Sequence, residues 1–147
     1  MEEIFISILN LISNEIPQLS LVDEDYGQLE TSEDTYPVTF PCALIGNMEA
    51  DWEEIGMGTQ KGIVTLTTRL AIDCYEDTHI GSGTTEKVAE RLRLANQLYT
   101  TLQCSRHSDD MGPMFRTNTR CHSLPGMIKV YEYVFQFELH DDSAAKD

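Results

Sequence analysis

Cys104, His107, Cys121 and His122 form the one arrangement in this chain whose residue types suit a metal ion. Cys-x-x-His is a usable zinc spacing. Cys121 and His122, however, are neighbours in a stretch that reads as a strand, where adjacent side chains point to opposite faces. The four are therefore read as loop residues around a strand start. The carboxylates Asp23, Glu24, Asp25, Glu30, Glu33 and Asp34 crowd one segment but lack the spacing and central glycine of a calcium loop. Gly81 and Gly83 precede a helix without the Lys-Ser/Thr pair of a phosphate loop. There is no G-x-S-x-G and no cysteine that opens a helix. The expectation is a protein with no enzymatic activity, no cofactor and no bound metal.

One stretch remains, residues 45–66, "IGNMEADWEEIGMGTQKGIVTL". It carries four acids (Glu49, Asp51, Glu53, Glu54), the chain's only tryptophan (Trp52), and the methionines Met48 and Met57. It joins two strand-like segments and reads as an acidic loop too long for a tight hairpin, closed by Gly56, Gly58 and Gly62. Either Trp52 folds back onto its own core, or Trp and Met anchor a contact that the charges orient, as they do in protein interfaces. Arg69, on the polar face of the following strand, joins this group as a candidate contact residue.

Composition narrows the choice. The 147 residues suit one domain, 1–140, with a short flexible polar tail over 141–147. Hydrophobic residues make up 41%, enough for a folded core. The net charge of −15 argues against specific nucleic-acid binding, and against an anionic membrane surface, through the bulk of the surface. The opening Met1-Glu2-Glu3 is not a secretory signal, and no run approaches a membrane span. The protein is expected in the cytoplasm of the cell that makes it, with Cys42, Cys74, Cys104 and Cys121 reduced. Cys42 and Cys74 sit in strand-like stretches as small apolar residues.

The elements that must position these residues follow from periodicity. Residues 2–15 read as a helix with Ile4, Ile8, Leu11 and Ile12 on one face, ended by Pro17. "LSLV" (19–22) reads as a short strand, and 23–36 as a solvated acidic loop or weak edge. "PVTFPCALIG" (37–46) reads as a strand near a sheet edge because of Pro41. Residues 63–75 alternate, with Val64, Leu66, Leu70, Ile72 and Cys74 opposite Thr65, Thr67, Arg69 and Asp73. Residues 76–85 form a turn, and Thr84 or Thr85 caps a helix that runs to Leu102. Its predicted stripe is Val88, Leu92, Ala95, Tyr99 and Leu102. Strands at 114–122 and 127–139 complete the chain, the last with Tyr131, Tyr133, Phe135, Phe137 and Leu139 on one face. The fold class is α+β: an antiparallel sheet with a long β-hairpin and two α-helices packed on one face.

This layout resembles the small tail-terminator or tail-completion proteins of long-tailed phages and prophages. The shared pattern is an amphipathic N-terminal helix, "YPVTFPCALIG" leading into a loop and long hairpin, a helix of about five turns, and a final strand pair ending "VYEYVFQFEL". The resemblance covers nearly the whole chain and rests on order and spacing. It implies a virion structural role: a homo-oligomeric ring, often of six subunits, that halts tube polymerisation and contacts the tail tube protein and the head connector proteins. An acidic lumen would then let DNA slide. Rival readings are another head–tail connector, head-completion or baseplate subunit, an acidic inhibitor that mimics DNA, and a small enzyme.

Overall fold

In the computed structural model, residues 1–31, 35–75 and 78–146 are described. The predicted acids Glu33 and Asp34, and part of the 76–85 turn, lie outside them. Two helices and five strands follow in the order α1 (Glu2–Glu15), β1 (Leu21–Glu24), β2 (Cys42–Gly56), β3 (Thr59–Asp73), α2 (Glu86–Leu102), β4 (Phe115–Leu124) and β5 (Ile128–Asp141). The strands form one sheet in the order β1-β2-β3-β5-β4. The fold is α+β as predicted, with one difference: β1 runs parallel to β2, so the sheet is mixed.

Both helices pack on the same face. Ile4, Ile8 and Ile12 of α1 and Ala95, Leu98 and Leu102 of α2 close over Leu66, Leu70, Tyr133 and Phe135 of the two central strands. The period-2 reading of β3 and β5 holds because these strands lie in the middle of the sheet, with one face sealed against apolar helix surface. Thr68 shares that face and satisfies its buried hydroxyl by donating to Tyr133 O at 3.2 Å. The opposite face is covered over only half its length. There Leu29, Tyr36, Val38 and Phe40 lie on Cys42, Leu44, Ala71 and Val130.

Several predicted details are corrected. The segment 23–36 is not simply solvated, since Asp25, Gln28 and Leu29 are buried. The first strand lies two residues later than "LSLV". The second begins only at Cys42, after Pro41, which has no N–H for the ladder. On α2, Val88 and Leu92 are exposed and Leu98 is buried instead, because the face turned to the sheet is rotated to the stripe of Arg91, Ala95, Leu98 and Leu102. Thr85 is the helix N-cap but makes no side-chain cap bond.

The largest correction concerns residues 47–58, which are not a loop. β2 and β3 stay paired from Cys42↔Ala71 to Gly56↔Thr59, so the connection is the two residues Met57 and Gly58. Their φ values of 51° and 88° are both positive, as a type I′ hairpin turn requires. Gly58 suits that geometry, and its N–H is held by Glu54 Oε1 at 2.7 Å.

Candidate interaction surface on the hairpin arm

β2 keeps its neighbour β1 only through Ile45. Beyond Gly46 it is an edge strand, bound on one side by β3 and open on the other. The change is marked by a β-bulge: Gly46 pairs with Thr67 and Glu49 with Thr65, so Asn47 and Met48 oppose the single residue Leu66. Asn47 takes up the distortion at φ 54°. One inserted residue reverses the alternation of the strand. Before the bulge, even-numbered residues face away from the helices; after it, odd-numbered residues do.

This places every candidate contact residue. Glu49, Asp51 and Glu53 share registers with Thr65, Ile63 and Lys61 on the uncovered face. Met48, Ala50, Trp52 and Glu54 turn to the helix side. Met48 is half-buried and lines a cleft of about 330 Å³ with Met1, Phe5 and Ile6 at the start of α1. Trp52 lies across Gly62, so close that a Cβ there would stand 2.7 Å from its ring, and it remains 39% exposed. A glycine opposite an aromatic ring lets the indole lie flat on the arm rather than reach the core. Met57 and Ile55 are exposed at the tip. The C-terminal stretch comes back to that tip, where Lys146 N–H donates to Met57 O at 2.6 Å.

Arg69 is occupied within its own chain. Its Nε and Nη2 donate to Asp25 Oδ2 and Oδ1 at 2.7 and 2.8 Å, and Nη1 and Nη2 donate to the two Glu30 oxygens at 2.5 and 3.1 Å. Burial opposes its charge, yet the hydrogen bonds to Glu30 and Asp25 outweigh that and raise its pKa above the ordinary arginine value. Asp25 in turn sits against Gly46 and donates its backbone N–H to Ile45 O at 2.8 Å, at the root of the arm. The ion pair thus fixes the place where β2 leaves its neighbour. Arg69, Glu132 and Arg120 then continue as a row of alternating charge across the uncovered face.

The far edge of the sheet was not singled out from sequence. β4 is exposed almost throughout and carries Arg116 and Arg120 without a single acid. Arg116 lies 3.6 Å over the ring of Tyr99 on the helix side. A basic, acid-free strand in a chain of net charge −15 was the available signal. Of the metal-like quartet, Cys104 and Cys121 are exposed, and His107 is held between Ser7 and Ser105 at 2.8 and 2.9 Å. Among the described residues no three His, Cys, Asp or Glu side chains converge on a metal position. No described helix is long and apolar enough to cross a membrane.

The fold is one already solved inside a virion. A chain in the structure of the "virion of native gene transfer agent (GTA) particle" superposes with a TM-score of 0.51 at 8% identity, over 91% of this chain and 84% of that one. At that identity the likeness is one of fold. No protein-family model matches the sequence, and no curated protein matches it.

Proposed function

We propose that this chain is a non-enzymatic structural protein of a virion, which closes with copies of itself into a ring at the end of a phage tail tube. In that role it stops tube polymerisation and joins tail to head, meeting the tail tube protein on one side and head connector proteins on the other. The observation that carries the reading is the fold shared along most of the chain with a component of a solved virion. The arm supports it: β2 beyond the bulge is a projecting edge whose exposed residues do no work for the protomer's own core. Trp52 and Met57 are its apolar anchors. Glu49, Asp51 and Glu53 on the uncovered face orient the contact or face the lumen, where fixed negative charge keeps DNA from adhering.

Two experiments test this reading. Virions assembled without the protein should carry tails of uncontrolled length and no heads in electron micrographs; particles with normal, headed tails would refute the role. The Trp52→Ala variant should still melt cooperatively but show a smaller assembled fraction by light scattering on a sizing column. Unchanged assembly would remove Trp52 from the contact.

A second reading, an acidic DNA mimic, draws on Glu49, Asp51 and Glu53, which step along one face of β2 at about 6.8 Å per pair of residues. Capture of the chain by a basic DNA-binding protein, competed by duplex DNA, would favour it over the ring.

A further inference from the structure

The two open edges of the sheet differ in charge. The distal half of β2, Glu49–Gly56, holds Glu49, Asp51, Glu53 and Glu54 and no base. β4 holds Arg116 and Arg120 and no acid. Both are long and exposed, with backbone groups on the outer side that no strand pairs. A naked edge of this length invites another strand, and charge decides which. Pairing β2 with β2 of another copy would set four acids against four, and pairing β4 with β4 would set arginine against arginine. Like charges opposed across strands are unfavourable, whereas opposite charges attract. Only β2 against β4 brings unlike charges together. That contact joins two different patches, so it is heterologous and propagates from copy to copy until it closes.

Strand direction agrees. β3 runs antiparallel to both β2 and β5, and β4 runs antiparallel to β5. β4 therefore points opposite to β2. β4 lies level with residues 42–49 of β2 and not with the arm, so the axis is inclined to the strands, as in a closed barrel with tilted, staggered strands; such a rotation sets β4 of one copy antiparallel to β2 of the next. The side-chain faces agree as well. Glu49, Asp51 and Glu53 lie on the uncovered face with Arg120, while Trp52 and Glu54 lie on the helix side with Arg116 and Cys121. The C-terminal stretch covers the arm's tip at Met57 and Gly58, and residues Asp51 to Gly56 stay exposed. We propose that the partner of the arm is a second copy of this chain, with Glu49–Gly56 of one copy adding as a strand to Phe115–Leu124 of the next. The proposal rests on the ring reading above and specifies its seam.

Cys121 supplies a probe on β4, since it is free, exposed and on the helix side. In a Cys74→Ser, Cys104→Ser background, single cysteines are placed on the distal half of β2 and oxidised. Cysteine at Ala50, Trp52 or Glu54, on the helix side, should give an intermolecular disulfide ladder with Cys121 for at least one of the three. Cysteine at Glu49, Asp51 or Glu53, on the other face, should give none. A ladder from both sets, or none at the highest soluble concentration, overturns the edge pairing. A ring detected by light scattering without the ladder also overturns it while leaving the ring reading intact. A ladder of open chains that never closes upholds the seam and refutes the ring. As a second measurement, Arg116→Glu with Arg120→Glu should abolish assembly while the circular dichroism spectrum stays native. Adding Asp51→Lys and Glu53→Lys to the same chain should restore it; failure to restore counts against the seam.

Discussion

Replacing Arg69 by Met tests how the root of the arm is held. The guanidinium and the Asp25 carboxylate are almost fully buried, with side chains 8% and 3% exposed, while Glu30 is 59% exposed. Losing Glu30's partner therefore costs little, at most about 1 kcal/mol, as for an exposed pair. Asp25 is different. It keeps one hydrogen bond, from Gly27 N–H at 3.1 Å, and is otherwise left as a buried anion. Removing one member of a buried pair costs about 3–5 kcal/mol. At roughly 2.1 cal/mol/K of unfolding entropy per residue, the whole chain loses about 3 °C of Tm per kcal/mol, so Arg69→Met should melt roughly 10–16 °C below wild type at pH 7. Adding Asp25→Asn, which removes the stranded charge at the same size, should recover most of the loss at pH 7. Thermal melts by calorimetry or circular dichroism measure both. A single variant within about 3 °C of wild type, or a double variant no more stable than the single one, would refute the claim that this ion pair holds the segment to the sheet.

The remaining predictions concern groups away from the arm. Burial pushes the Cys42 thiol up to about 11 and leaves it fully enclosed, whereas Cys104 and Cys121 are exposed. A thiol reagent at pH 8 and low protein concentration should modify Cys104 and Cys121 rapidly, the half-exposed Cys74 more slowly, and Cys42 only at the rate of unfolding; a fast Cys42 would contradict the packing of β2. His107 bridges α1 to the 105–114 segment, and burial lowers its pKa below 6.5. A depressed folded-state value makes that contribution complete above about 6.5 and lost as pH falls beneath it. Wild type should therefore lose more Tm between pH 7 and pH 5 than His107→Gln does; equal losses would remove His107 from the acid response.

Helix α1, residues 86–102, β3 and β5 were legible because each meets the core with one face over most of its length, so burial writes its own period into the sequence. The arm was not. Glu49, Asp51, Glu53 and Glu54 lower the strand signal, and a Met-Gly turn lacks the Asn-Gly or Asp-Gly signature of a two-residue hairpin. What makes 49–56 a strand is β3, which runs past the core paired to β5 on one side and needs a partner on the other. Arg69 read as a surface contact because its partners, Asp25 and Glu30, lie 44 and 39 residues away.

The chain's order of residues alone determined its class, its two amphipathic helices, the core face of its central strands, and the concentration of acids, Trp52 and Met57 in one segment. All of these depend on neighbours within a few positions or on composition. The side of the sheet that Trp52 occupies depends on a single extra residue at Asn47–Met48. That the acidic half of β2 beyond β1, and the basic β4, are both free edges depends on the strand order. Both were decided by pairing between distant segments, which no local pattern records.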